Sequence, residues 1–392
     1  MESSEYLIIG GGPSGTSAAE AIRSIDQDGT ITIVDEQKER LYSKITLHKF
    51  IEGVLPKENM YLKDESWYVQ NRIDLLGGKA TDINSENKIV TLDNTQTISY
   101  EKLLFTGGGY PRKLGVENEA ARGIYSLYSL HDAEMIAESL KAATNVVVVG
   151  GGFLTIDILE TLARLGKKVT VVIRNERVLK EKIGPKGSKI IFDRLVGLGI
   201  NFEFNASVER FEANEAVKGV VLSGSKTLPA DLVIVAIGIV SNVELAKRVK
   251  AEVDRGIVVN DKQETSASGV FAAGDLCQVR DKATGESFVP GNWYYATISG
   301  RVAGINMAGG EASNEDMPIV AKNVAGLKLG FLGFIDEKYI ASEFEKNGSY
   351  IQTYQKNGKL IGLSVIDSTH PIADFKKMIG KDFDESVIRE MI

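Results

Sequence analysis

"EYLIIGGGPSGTSAAEAIRSI", Glu5 to Ile25, decides the fold. An apolar run enters three glycines, and an alanine-rich stretch of helical character follows. "TITIVDE", Thr30 to Glu36, then supplies a second strand and closes a βαβ unit. The turn reads Gly10-x-Gly12-x-x-Gly15, with Pro13 and Ser14 opening the helix. In such a turn the first glycine makes the bend, the second lets a pyrophosphate approach, and the third lets helix lie close on strand. Free amides and the positive end of the helix dipole face the phosphates. Asp35 and Glu36 end the second strand, where a carboxylate accepts hydrogen bonds from a ribose. Glu36 is the favoured acceptor, because Asp35 falls within the strand pattern. A lone glycine triplet also occurs in ordinary tight turns. Strand, turn, helix, strand and acid in this order specify a dinucleotide cradle.

The plan returns in "VVVVGGGFLTIDILETLARLGKKVTVVIRNERVLK", Val146 to Lys180. Gly150 and Gly152 keep the first two glycine roles, and Phe153 and Leu154 open the helix. Apolar residues at Leu154, Ile158, Leu159 and Leu162 follow helical spacing, and Gly166 supplies a left-handed C-terminal cap. Thr155 stands where the packing glycine belongs, so a slightly wider gap between helix and strand is expected, with the phosphate-facing positions intact. The second strand ends on Ile173 and Arg174 instead of an acid, with Arg177 and Lys180 close behind. Guanidinium groups grip a 2′-phosphate that a carboxylate would repel. The pattern favours NADP(H) over NAD(H); a solvated basic turn is the alternative.

The bulk properties agree with a soluble globular protein. The chain has 392 residues, of which 25% are charged and 43% hydrophobic, an ordinary globular mix. That length suits about two or three domains. Its 40 glycines are an excess for such a chain. A net charge of −7 with no basic stripe argues against nucleic acid. Cys277 is the lone cysteine, which excludes an internal disulfide, a dithiol pair and a thiolate metal cage. No metal site is expected. The acidic start is unlike a secretory signal, and no apolar run reaches the about 20 residues of a membrane span, so a cytoplasmic protein is expected.

Further segments carry a resemblance. "RLYSKITLHKFIEG" (40–53), "LLFTGGGYPRKL" (103–114), "DLVIVAIG" (231–238), "GVFAAGDLC" (269–277) and "NWYYATISGRVAGINMAG" (292–309) occur in this order. With the two glycine turns they resemble the two-dinucleotide-binding flavoproteins of the pyridine nucleotide-disulfide oxidoreductase superfamily. The nearest branch is that of ferredoxin, rubredoxin and nitrite reductase flavoproteins, over roughly residues 5 to 310. The resemblance implies FAD in the first cradle and a nicotinamide nucleotide in the second. It makes Thr106, Gly107 and Arg112 part of the segment that leaves the first domain, and Gly238 the end of the nicotinamide-domain strand. Gly274 and Asp275 match the segment that binds the ribityl chain. Trp293 opens a helix aimed at the flavin's pyrimidine edge, whose dipole favours the negative charge of the reduced ring. Lys44 takes the place of a cofactor-binding arginine. Lys49 falls on the family lysine beside the flavin, and Asp157 on its acidic partner, usually Glu. This Lys49–Asp157 pair is the expected catalytic pair near flavin N5; a free surface lysine is the alternative for Lys49. The segment also departs from the pattern, having lost both prolines and carrying His48 for serine.

The chain also lacks the thiols of the disulfide and peroxide reductases: Ser43 stands near the peroxidatic position, and Cys277 lies elsewhere. His48, His131 and His370 read as structural. The expected fold is α/β, with two Rossmann-like domains, the second inserted into the first, and a small C-terminal α+β domain. Residues 1–114 and 244–314 form the FAD-binding domain, 115–243 the NAD(P)-binding domain, and 315–392 the C-terminal interface domain. "SYIQTYQKNGKLIGLSVI" predicts a hairpin at Asn357-Gly358, and the last stretch reads as helices separated by Gly380. The implied activity is an FAD-dependent NAD(P)H oxidoreductase that passes a hydride to flavin. Electrons then go on to a separate iron–sulfur or rubredoxin-type protein. The alternatives are an oxidase or quinone-type reductase, and a flavin-carrying subunit with a decayed nicotinamide site. A homodimer and a subunit of an electron-transfer complex both stay open.

Overall fold

The structure is a computed structural model and describes residues 2–282 and 284–392. The chain divides into two units. The first comprises Met1–Ser43, Tyr61–Tyr110 and Val240–Ile319; the second comprises Lys44–Met60, Pro111–Ile239 and Val320–Ile392.

In the first unit, strand Glu2–Ile9 is central and pairs in parallel with Ile31–Asp35 and Thr97–Phe105. Ile73–Gly77 extends the sheet beyond Ile31–Asp35, and Val270–Ala272 pairs in parallel with Thr97–Phe105. An antiparallel hairpin, Ala80–Asn84 and Ile89–Leu92, completes it. The apolar run Tyr6–Ile9 is buried on both faces, as a central parallel strand must be. One face packs on Leu103, Val270, Ala272 and Cys277, and the other on Ala18, Ile22, Ala303 and Met307. Helix Pro13–Ile25 lies beside helix Trp293–Met307 and runs in the same direction, Gly300 meeting Ser14 and Gly304 meeting Ala18. The contact admits no side chain. A Cβ on Gly300 would stand 2.1 Å from the Ser14 carbonyl oxygen, and one on Gly304 would stand 2.3 Å from that of Ala18.

The second unit has its own five-stranded parallel sheet: Asn201–Phe204, Lys168–Ile173, Asn145–Val149, Leu232–Val235 and Ile124–Ser126. Helix Phe153–Arg164 connects its central strand to the next. Beyond it a five-stranded antiparallel sheet runs in the order Ile319–Val324, Leu327–Gly333, Lys359–Ile366, Ser349–Lys356, Ile340–Lys346. The hairpin at Asn357 and Gly358 has φ of +51° and +76°, the left-handed pair of a tight two-residue turn. Gly380, at φ +81°, separates the short helical segments Ile372–Met378 and Glu385–Glu390.

Two divisions differ from the sequence reading. Residues 44–60, expected within the first domain, belong to the second unit. Helix Leu47–Ile51 packs on helices Leu130–Leu140 and Phe153–Arg164, while Lys57 pairs with Glu134 at 2.8 Å and Glu52 with Arg164 at 3.0 Å. The C-terminal sheet is part of the same unit. Gln352 Oε1 accepts from the Gly184 amide at 2.6 Å, and Ser364 Oγ donates to the Lys182 carbonyl at 2.6 Å. The first of these bonds is buried and the second partly so, and they dock the sheet on the 182–184 segment.

Gly304→Ala should lower stability by about 1–3 kcal/mol, because the added methyl has only helix backbone to displace. Thermal melting at the wild-type temperature would show that the two helices separate without cost.

Candidate functional site

The first glycine turn is set by backbone crowding. Gly10 has φ +117°, and a Cβ there would lie 2.6 Å from the Thr106 carbonyl and the Gly107 amide. Thr106 Oγ1 donates toward the Ile9 and Gly10 carbonyls at 3.0 and 2.8 Å, locking the turn to the neighbouring strand. A Cβ on Gly15 would stand 2.0 Å from the Gly10 carbonyl oxygen. Gly12 is different, since a Cβ there would meet nothing within 4 Å. Gly12 is also the N-cap of helix Pro13–Ile25, has no capping side chain, and has Pro next to it at the helix start. The helix therefore presents uncapped backbone amides toward open space beside Gly12, the donor set a pyrophosphate requires.

Other residues converge on this turn. Asp35 ends its strand as expected, and its Oδ2 accepts from the Gly11 amide at 2.8 Å. Its carboxylate braces the turn, which leaves Glu36 as the exposed acid. Glu36 Oε2 accepts from the Tyr110 hydroxyl at 2.8 Å and lies 3.6 Å from Lys79 Nζ. Sequence reasoning missed Tyr110 and Lys79, and no local pattern marks them. Gly274, at φ +85°, is so close to Ser14 that a Cβ would fall 2.7 Å from its hydroxyl, so Asp275 follows directly beside the helix start. Trp293 begins its helix one residue after Asn292, whose side chain accepts from the Tyr295 amide at 2.9 Å. Gly107 lies beside Ile9, open enough that a Cβ would be 3.7 Å from its carbonyl.

The second turn repeats the first, position for position. Gly150 has φ +130°, and a Cβ there would meet the Ala236 carbonyl oxygen at 2.3 Å, while Gly152 again faces nothing within 4 Å. Helix Phe153–Arg164 likewise starts without a capping side chain. Gly151 packs on Ile173 as Gly11 packs on Asp35, so Arg174 occupies the place of Glu36. The fit of Thr155 has a visible cause. Ala236 holds beside Gly150 the place that Thr106 holds beside Gly10, and Thr155 the place of Gly15, so the hydroxyl-bearing side chain moves from strand to helix. Thr155 is fully buried, and its hydroxyl has no hydrogen-bond partner among the described residues. Leu154 is partly exposed, and Gly238, at φ +97°, accepts at its carbonyl from the Arg112 amide at 2.9 Å.

Asp157, Lys49, Arg177 and Lys44 have surroundings other than the sequence reading gave them. Asp157 forms its ion pair with Lys322 of the C-terminal sheet, not with Lys49. Lys49 is exposed on its short helix, and Lys322 reaches the carboxylate because that sheet lies along the second glycine helix. Arg177 is turned into carboxylates: Glu176 at 2.5 Å and Glu337 of the C-terminal region. With its side chain 14% exposed, it is not a free grip for a phosphate. Arg174 is exposed and has no ion pair among the described residues. Lys44 Nζ sits 3.8 Å over the ring of Tyr128, in the second unit. His48 lies near Asp157, Lys49 and Lys322. Burial holds its pKa below the usual imidazole value, the two lysines add to this, and Asp157 opposes it. Cys277 is buried, and burial pushes its thiol well above the ordinary range.

Fold and sites together define a protein with paired dinucleotide cradles, in which the residues of the first fit the pyrophosphate of FAD and those of the second fit a pyridine nucleotide. Comparison with known proteins agrees. The profile of the pyridine nucleotide-disulphide oxidoreductases matches residues 4–300, and the chain belongs to that family. It is 30% identical over 390 residues to the NADH-rubredoxin oxidoreductase of Clostridium acetobutylicum, covering 98% of this chain and 97% of the relative. The crystal structure of that protein superposes with a TM-score of 0.80, at 28% identity over 98% of this chain and 97% of that one. A rubredoxin-NAD(+) reductase of Pseudomonas putida is 27% identical over 84% of this chain and 87% of its own. A ferredoxin reductase from Rhodopseudomonas palustris has a TM-score of 0.87 at 25% identity, over 93% of this chain and 91% of that one. The chain is thus an FAD-dependent NAD(P)H oxidoreductase, in a family named for a dithiol that its single cysteine cannot form. Among the described residues, no helix is long and apolar enough to cross a membrane.

Gly12→Leu should abolish FAD retention and leave the apoprotein folded, because a Cβ there meets no protein atom within 4 Å and the side chain beyond it would fill the phosphate cradle. The 450 nm to 280 nm absorbance ratio and far-ultraviolet circular dichroism check this together. A yellow purified variant would show that the first cradle does not hold the cofactor.

Proposed function

We propose that this protein takes reducing equivalents from a nicotinamide nucleotide and delivers them to a separate small redox protein of the rubredoxin or iron–sulfur type. The observation that carries this reading is the doubled cradle, with Gly12 and Gly152 each facing open space at an uncapped helix start. The acceptor class is supported by relatives named for rubredoxin and ferredoxin, one of which aligns over nearly its whole length.

When bound, FAD would supply the chemistry the side chains lack, accepting a hydride and releasing electrons singly. The protein's part is to hold and orient. The amides at the start of helix Pro13–Ile25 would bind the pyrophosphate, Glu36 would accept from the adenosine ribose, and Asp275 would accept from the ribityl hydroxyls. The parallel helices at Pro13 and Trp293 direct two positive dipole ends toward the same side of the first unit, which stabilises negative charge there. In the second unit the amides after Gly152 would take the nucleotide pyrophosphate. Lys49 and Asp157 stay candidates for aligning the nicotinamide, as separate groups and not as a pair.

For the nucleotide itself we propose a preference for NADP(H), carried by Arg174. The two turns correspond, and the position that is Glu36 in the first is Arg174 in the second. That reversal of charge suits a 2′-phosphate in place of a free ribose hydroxyl. With Arg177 engaged by Glu176 and Glu337, one guanidinium is available and not two, so the preference should be modest.

Anaerobic mixing tests the main reading: NADPH or NADH should bleach the flavin absorbance, and rubredoxin or ferredoxin should restore it. No bleaching by either nucleotide would defeat the reading. Arg174→Glu should raise the KM for NADPH by about tenfold, equivalent to one lost charge-assisted contact, with much less effect on NADH. An unchanged ratio of the two KM values would mean that Arg174 is only solvated.

A further inference from the structure

Phe153, Asp157, Glu160 and Arg164 follow one another at helical spacing and form a single stripe along the second glycine helix. Each is met by a residue distant in sequence. Phe331 lies against Phe153 with ring centroids 4.9 Å apart, Lys322 pairs with Asp157, and the Ala325 amide donates to Glu160 Oε2 at 2.9 Å. Glu52 takes Arg164 at 3.0 Å. The first three partners come from one strand pair of the C-terminal sheet, Ile319–Val324 and Leu327–Gly333, and the turn between them.

Lys322 is the pivotal member. Its side chain is 16% exposed and that of Asp157 14%, so the pair is largely removed from water. The same ammonium lies 5.3 Å from the centroid of the Phe153 ring. Lys322 therefore grips two successive turns of the helix, at the first helical residue and one turn later. The first turn of a helix is held least by its own hydrogen bonds, because its leading amides have no partner within the helix. Here those amides are the nucleotide cradle, and their convergence on a phosphate depends on what braces the turn from outside.

We infer that Lys322 is a positioning residue of the nicotinamide-nucleotide site. By holding Asp157 and bracing Phe153 it fixes the start of the second glycine helix, which makes the C-terminal sheet a working part of that site. The inference deepens the proposed function and rests on it. It also assigns Lys322 the partnership that the family resemblance gave to Lys49. Removing Lys322 leaves a mostly buried carboxylate unpaired, and the helix start must shift to hydrate it.

The test uses the FAD-loaded protein and calorimetric titration with oxidised NAD+ and NADP+, which reads binding without turnover. Lys322→Met should weaken both by about tenfold, with the FAD-to-protein ratio unchanged. Lys322→Arg should recover most of the affinity. Lys328→Met, on the same sheet but exposed, should bind as wild type. Asp157→Asn should resemble Lys322→Met, and the double variant should be no worse than either single one, since the two residues act through each other. Wild-type affinity in Lys322→Met, or additive losses in the double variant, overturns the inference. If Lys322→Met does not fold, Asp157→Asn/Lys322→Met leaves no unpaired buried charge and decides instead: weakened binding supports the inference, and wild-type binding overturns it. Failure of the wild-type protein to bind either nucleotide would remove the proposed function first, and the inference with it.

Discussion

The structure depends on a steric constraint imposed twice: a helix must begin immediately where a buried parallel strand ends. At both places the first glycine has a positive φ, and a Cβ would lie 2.6 Å or less from the backbone of the neighbouring strand. No other residue type fits that approach. Once the chain is bent so sharply, the following helix starts with glycine at its cap, and no side chain satisfies its leading amides. The binding capacity is thus a by-product of the bend. The constraint also explains why Thr155 is tolerated. Where the first turn has Gly15 and Thr106 beside its leading glycine, the second has Thr155 and Ala236, so it keeps a similar total of side-chain volume while exchanging its source. The helix start alone is therefore a misleading guide to whether the turn survives.

Features encoded over a few residues could be read from the sequence. The two βαβ units, the cap at Gly166 and the hairpin at Asn357-Gly358 each depend on backbone conformations that the local residues select. That Asp35 belongs to the second strand was also legible, and the strand does end there. Partnerships across the chain were not. Lys322 and Asp157 are separated by 165 positions, and nothing in "IVAKNVAG" distinguishes its lysine from the others in the C-terminal sheet. The allegiance of residues 44–60 was equally hidden. Their apolar spacing says only that a short helix buries one side, and several helices were available to receive it.

Arg177 shows a subtler limit. A basic cluster after the second strand reads as a phosphate grip, since guanidinium groups and phosphates are complementary. Carboxylates are complementary to guanidinium groups as well, and Glu176 and Glu337 outcompete solvent for this one. Sequence can count the charges near a strand end, but it cannot count those brought there by a sheet folded from the last part of the chain. Arg174 is exposed and has no ion pair among the described residues, so two arginines three residues apart have opposite prospects as ligands.

The C-terminal sheet therefore shapes the second cradle through electrostatics as well as packing. Its buried hydroxyls make the docking directional. Tyr354 donates toward the Lys182 carbonyl at 3.4 Å, Ser364 donates to the same carbonyl, and Gln352 accepts from Gly184. Burial pushes the Tyr354 phenol up to about 12, with Ser364 and Arg177 drawing it partly back, so the neutral form that can donate is the one the folded state selects. An apolar interface of the same area could slide by a residue with little penalty, whereas each of these donors and acceptors would be left unsatisfied in any shifted register. That registry carries Lys322 to Asp157 and Glu337 to Arg177. The polar core of a sheet remote from the glycine turn in sequence thereby decides which charges surround the turn, and which one remains free for a ligand.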